Sequence, residues 1–217
     1  MDKPKSIIES VSNEIVDTSL DLGVEYAELT IDEIFDSAFQ EVPIIKTLLA
    51  ITKVGISIKE RRFIKKLLVF LKEFHANKVN NNKLEEFKHN ILNDVKYKEK
   101  VMEHIVVFID SFLQVEKSKI LARLFLAHIS GAYDWKHFTY LSASLDSAHP
   151  AMFDFLQELS TCNFEIPQEY DKRIVHRDGN KEALINAAGL SYEESAWGAT
   201  FKVSQLGQDL YNYGLKA

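Results

Sequence analysis

Between Val42 and Lys72 the sequence reads VPIIKTLLAITKVGISIKERRFIKKLLVFLK, eight lysines and arginines against one glutamate. Side chains of one sign at this density do one kind of chemistry: they raise the local potential and hold anions such as lipid head groups or phosphates. On a helix drawn at about 100° per residue, Phe63, Ile64, Leu67, Leu68, Phe70, Leu71 and Phe74 fall within an arc of about 160°. Lys59, Arg61, Arg62, Lys65, Lys66 and Lys72 fill the opposite arc and are the candidate anionic surface-binding residues. Any surface helix of a globular protein has one apolar and one charged face, and this cationic face could simply meet the acidic first forty residues. Ordinary surface helices mix signs, however, and here only Glu73 is negative.

Other residue types that could do chemistry lack the spacing for it. His176-Arg-Asp178 copies three letters of the protein-kinase catalytic loop, but Ala183 stands where the metal-binding asparagine belongs, and neither a phosphate loop nor a DFG segment is present. The seven histidines contain no HExxH and no pair four residues apart, so metal ligation has no local support. Cys162 is the single cysteine and needs a histidine beside it to act as a nucleophile. No GxSxG or SxxK occurs, and the adjacent pairs Glu85-Glu86 and Glu193-Glu194 do not converge on one substrate. No catalytic, cofactor-binding or metal-binding residue is therefore assigned, and the chain is read as non-enzymatic without a cofactor. An enzyme whose site assembles from distant residues would leave no such motif.

The elements that position the cationic run are helical. With 217 residues, 46 % of them hydrophobic, the chain can bury a sizeable core, and eight Gly and four Pro favour helices over a turn-rich β architecture. One cysteine fits a reducing compartment, and the acidic N-terminus lacks the pattern of a signal or transit peptide. No uninterrupted apolar run approaches the ~20 residues that span a bilayer. The expected location is the cytoplasm, with peripheral contact at the inner membrane. Residues 1–41 carry eleven acids and two bases, so the chain is electrically dipolar along its length.

Apolar spacing predicts an acidic amphipathic helix from about Ile7 that Leu22-Gly23 would end. Thr30-Ile-Asp-Glu33 is a capping box that opens a helix over 31–40, and Pro43 suits the first position of a third helix that Gly55 ends or bends. Ser57-Ile-Lys-Glu60 is a second capping box, opening the cationic helix to Phe74. An Asn-rich loop over 76–82 precedes helices around 84–92, 101–112, 120–125 and 135–145, with Gly131 closing one of them. From Pro150 the pattern becomes helix (152–159), a looser stretch, helix (180–188) stopped by Gly189, hairpin (190–203) and helix. The expected fold is mainly α: a multi-helix bundle over 1–149 and a small winged-helix-like α+β module over 150–217.

The phrase Thr200-Phe-Lys-Val-Ser-Gln-Leu-Gly-Gln-Asp-Leu210 resembles the end of the wing and the final helix of bacterial winged-helix regulators, with Phe201, Val203, Ser204 and Gly207 matching. That resemblance implies a second function, nucleic-acid-binding transcriptional regulation, with Arg173, Arg177, Lys181 and Lys202 on phosphates. Glu182, Glu193 and Glu194 equip the module poorly for it. The acidic N-terminus, Val42-Pro-Ile-Ile, the basic stretch Ile58 to Leu71 and the winged end together resemble uncharacterised bacterial helical proteins near the abortive infection protein alpha family. The resemblance implies phage defence. The resulting expectation is a protein that acts by association with an anionic surface or a protein partner, including a second copy of itself. The acidic N-terminal helix would cover the cationic face at rest.

Overall fold

The computed structural model describes residues 3–18, 20–34, 43–51, 57–77, 81–166, 179–194 and 200–216. Among these the protein is mainly α, with eleven α-helices and a three-stranded antiparallel sheet near the C-terminus. The chain forms two compact units, Met1–Ala132 and Tyr133–Ala217. The sequence pattern put the division at 149/150. Just before the division between these two units, Gly131 adopts a left-handed φ of 86°. The bonds from Gly131 N to the His128 carbonyl (2.9 Å) and from Ala132 N to the Ala127 carbonyl (3.0 Å) form a Schellman end. The helix Trp135–Ser147 thus belongs to the second unit.

The first unit holds α1 (Lys3–Val16), α2 (Ile31–Ile34), α3 (Pro43–Ile51), α4 (Ile58–Ala76), α5 (Asn81–Asn93), α6 (Val95–Ser111) and α7 (Glu116–Ile129). Both predicted capping boxes form. The Glu33 amide donates to Thr30 Oγ1 (3.2 Å) while the Thr30 amide donates to Glu33 Oε2 (2.6 Å). Ser57 and Glu60 reciprocate at 3.2 and 2.9 Å to open α4. Pro43 begins α3 as its missing N–H predicts.

The first helix ends at Val16 rather than near Leu22. Glu14, buried in its last turn, turns its carboxylate to the Leu20 amide and the Thr18 hydroxyl, both 3.1 Å away. Side-chain acceptance of a downstream amide replaces the next helical bond. The continuation of the second helix to Gln40, Gly55 and the tip of the Asn-rich loop lie outside the described residues.

α4 is the centre of this unit, packed most extensively on α7 and also against α6, α1 and α2. Five consecutive residues, Leu67 to Leu71, are buried, which a helix covered along a single face does not show. Phe70, Phe74, Phe87 and Phe125 form an aromatic core with ring centroids 5.4 to 6.5 Å apart, the Phe87–Phe125 pair meeting edge to face. Full burial of each such ring contributes roughly 1.5 to 3 kcal/mol.

The second unit contains α8 (Trp135–Ser147), α9 (Ala151–Ser160), β1 (Glu165–Ile166), α10 (Gly179–Ala187), β2 (Ser191–Glu194), β3 (Thr200–Val203) and α11 (Gln205–Asp209), the last continuing as a π-helical turn to Leu215. The sheet order is β1-β3-β2, with Ile166 opposite Phe201 and Tyr192 opposite Lys202. From α9 onward this is the winged-helix-like order of elements. Gly189, at φ 72°, ends α10 through a second Schellman pair, Gly189 N to Asn186 O (2.9 Å) and Leu190 N to Ile185 O (3.1 Å). Gly207 has a different reason to be glycine: a Cβ there would stand 2.4 Å from the Leu190 carbonyl oxygen and 2.5 Å from Val203 Cγ1. Close approach of α11 to the base of the hairpin requires its absence.

No helix among the described residues is long and apolar enough to cross a membrane.

Candidate anion-binding surface

The six cations do not form one open face. Lys66 is buried, and its ammonium donates to the carbonyl oxygens of Asp110 (2.9 Å) and Phe112 (2.7 Å). These are the last carbonyls of α6 and its cap, so Lys66 supplies the donors that end of the helix lacks and opposes its negative dipole end. Val69 projects within about 20° of Arg62, in the middle of the cationic arc. It is 1 % exposed, so that part of the arc is sealed.

Four other cations of α4 have partners within the first unit. Lys72 Nζ lies 2.7 Å from Glu25 Oε2, and Arg61 Nη1 lies 3.0 Å from Asp32 Oδ1. Lys65 donates to the Leu29 carbonyl. Lys59, 78 % exposed, pairs with Asp110 at 3.1 Å. A contact between charges this accessible is worth at most about 1 kcal/mol and is readily exchanged. Arg62 is exposed, and its guanidinium has no hydrogen-bonded or ion-pair partner among the described residues. The correction to the sequence-derived face is therefore geometric: Lys66 is a structural cap, Arg61, Lys65 and Lys72 are engaged by the segment 20–34, and Lys59 and Arg62 remain at the surface.

Lys59 and Arg62 border a cleft of about 580 Å³ between the start of α4 and the α6–α7 connection, with Ile31, Asp110, Phe112 and Leu113 also in its wall. Two apolar side chains project beside it, Ile58 (71 % exposed) and Leu113 (87 % exposed). Lys59, Arg61 and Arg62 all occupy the first turn and a half of α4, where the helix dipole is positive. Cations placed there oppose the dipole at about 0.3 to 1 kcal/mol each at most. Glu60, held in the capping box, offsets part of this. What results is a positive, apolar-tipped end of the helical unit.

The acidic partners feel the arrangement. The hydrogen bond from Lys72, with a second one from Lys119, holds the Glu25 carboxyl below its ordinary range against the opposing effect of burial. On α6, burial pushes His104 down to about 4, and burial likewise lowers His75, whose Nε2–H donates to the Glu14 carbonyl at 2.7 Å.

Among the described residues of the second unit, the lysines of α10 and β3 are engaged by neighbouring groups. Lys181 lies over the Phe155 ring at 5.6 Å and 3.6 Å from Glu158, and Lys202 pairs across the sheet with Glu165 at 3.3 Å. The groove between α10 and the hairpin carries Glu182 and Glu193. Arg173, Arg177 and His176-Arg-Asp178 lie outside the described residues.

One pair escaped the sequence reading. His137 Nε2 lies 2.9 Å from Asp209 Oδ2, with the Tyr133 ring 5.1 Å from the imidazole. Burial raises the Tyr133 hydroxyl far above its ordinary range, aided by Asp209 and Tyr213. Seventy-two residues separate His137 from Asp209, so no local spacing announces them. A carboxylate can orient a histidine for proton transfer, but no hydroxyl or thiol bonds to His137 among the described residues, and the pair ties α8 to α11. No group of three or more His, Cys, Asp or Glu side chains that could hold a metal occurs among the described residues.

The chain matches no protein family, no curated protein and no solved structure.

Proposed function

We propose that the protein acts by association rather than catalysis, its helical unit binding peripherally to an anionic lipid surface through the open end of α4. Lys59 and Arg62 meet head-group phosphates while Ile58 and Leu113 enter the interfacial layer. The observation that carries this reading is the adjacency of Arg62, which has no partner among the described residues, to two apolar side chains that the fold leaves in water, one of them 87 % exposed. Scattered exposed apolar residues are ordinary. Their placement at the rim of a positive cleft is the pattern of an interfacial contact.

Magnitudes set the expected strength. Each cation near an anionic surface contributes about 1 kcal/mol, and a partly inserted Leu or Ile adds about 1 kcal/mol more. Four such residues give roughly 4 kcal/mol, a millimolar and reversible contact. A role in phage defence rests on the sequence resemblance alone.

Co-sedimentation with phosphatidylglycerol vesicles tests the reading. The wild type pellets with them and stays in solution with phosphatidylcholine, and the Lys59→Glu/Arg62→Glu variant stays in solution with both. Equal recovery of the two proteins in every supernatant contradicts it. Retention of the wild type on an acidic protein but not on vesicles assigns the same cations to a protein partner instead.

A further inference from the structure

We propose that residues 20–34 are an autoinhibitory strap that occupies the cationic flank of α4 as an external anionic surface would, and that displacing it switches the protein from weak to strong membrane binding. This inference rests on the reading above and adds its regulation. The strap carries five acids, Asp21, Glu25, Glu28, Asp32 and Glu33, and no lysine or arginine. Its contacts follow the flank. Glu25 gives one carboxylate oxygen to Lys72 (2.7 Å) and the other to Lys119 of α7 (3.3 Å). Four residues later the Leu29 carbonyl accepts from Lys65, and three further on Asp32 meets Arg61 (3.0 Å). Four cations on two helices are thereby withheld from solvent anions, and Lys119 joins the set although the helical projection of α4 alone does not contain it.

The hold is of a kind that can be released. Leu20, Tyr26 and Ile34 are the buried side chains of the strap, and between them the backbone makes short turns, with bonds from Val24 N to Asp21 O (3.3 Å) and from Glu28 N to Glu25 O (3.0 Å), and the single-turn helix α2. Glu28, Asp32 and Glu33 are exposed. Segments with few buried anchors and solvent-facing ion pairs open at lower free energy than the core they lie on. A dense anionic surface competes for the same cations with many more charges than the strap offers. The open end at Lys59 and Arg62 lies outside the strapped set and serves as the first contact. Lys66, held by α6, stays in place throughout.

The test uses the full chain with Glu25→Gln/Asp32→Asn, which keeps side-chain volume and removes the clamp charges. Partition onto phosphatidylglycerol vesicles should rise at least tenfold over wild type. The rise should vanish when Lys72→Gln and Lys119→Gln are added. A charge-matched control, Glu85→Gln/Glu86→Gln on α5, should leave partition unchanged, which separates strap release from a mere change in net charge. Hydrogen exchange supplies the second readout: anionic vesicles should accelerate exchange of the amides of 20–34 in the wild type while α4 stays protected. Wild-type binding with no gain in the clamp variant and no change in strap exchange overturns the strap and leaves the binding surface standing. Absence of both proteins from the vesicle pellet removes both the strap and the binding surface.

Discussion

The ammonium of Lys66 lies 2.7 Å from the carbonyl oxygen of Phe112, inside the protein, at the end of α6. By sequence Lys66 is indistinguishable from Lys65 beside it, yet one donates to the core-facing cap of α6 and the other to the Leu29 carbonyl of the strap. A single amphipathic helix thus serves structural and surface roles within four residues, and each role predicts a different response to substitution.

Lys66→Met should destabilise the first unit by about 2 kcal/mol, because two carbonyls lose a charged donor while the apolar stem keeps its packing. Lys59→Met, at an exposed pair, should change stability by less than about 0.5 kcal/mol. Urea midpoints of the two variants, followed by circular dichroism, check the contrast. Equal midpoints would remove the capping role.

Gly207→Ala should cost the second unit at least about 2 kcal/mol. The added methyl meets backbone at Leu190 and the Val203 side chain, and the contact is relieved only by separating α11 from the hairpin. Faster exchange of the β2–β3 amides, with α4 and α7 unaltered, is the expected signature.

The first unit should lose stability as pH falls from about 6.5 towards 4. His104 and His75 have folded-state values depressed by burial, so the folded state binds fewer protons than the unfolded one across that window. The stability they confer is complete above the unfolded histidine value and declines on acidification through the folded value. Partial solvent contact limits the contribution of His104 to about 1 to 2 kcal/mol. In His104→Leu this portion of the pH dependence should flatten. Glu25, whose value is also depressed, by its hydrogen bonds from Lys72 and Lys119, protonates only once the pH has fallen past the ordinary carboxylate range, and the strap clamp then weakens, so exchange at 20–34 should quicken at that acid end.

Duplex DNA should not be retained by the protein at low salt. Lys181 and Lys202 of the winged-helix-like module are paired with Glu158 and Glu165, and its groove presents Glu182 and Glu193. A salt-dependent mobility shift with a defined slope would contradict this.

What the sequence made legible was local. Thr30 with Glu33 and Ser57 with Glu60 announce helix starts because both partners lie within one turn, and Gly131 and Gly189 announce ends because left-handed backbone favours glycine there. The winged-helix-like order was readable from the hairpin and from Ser204, whose hydroxyl accepts the Gly207 amide at 3.2 Å. What stayed hidden depended on distant chain. A helical projection gives the azimuth of Val69 and Lys66 but not the number of neighbours, so a central helix covered on several sides looked like a surface one. The acidic helix expected to run to Leu22 and cover the cationic face stops at Val16, because Glu14 captures the Leu20 amide, and the acids on that flank come instead from the turns and the short helix α2 of 20–34. His137 and Asp209 meet only after the second unit folds.

The most direct test places an environment-sensitive nitrobenzoxadiazole label at position 113, through Leu113→Cys in a Cys162→Ser background, with Lys83→Cys on α5 as a control position. On adding phosphatidylglycerol vesicles, emission at position 113 should shift to the blue and become quenchable by lipid-borne nitroxides, while the control label does not respond. Phosphatidylcholine should leave both unchanged. An unshifted spectrum at position 113 with anionic vesicles, in the wild-type strap and in Glu25→Gln/Asp32→Asn alike, would contradict membrane association through this end of the molecule.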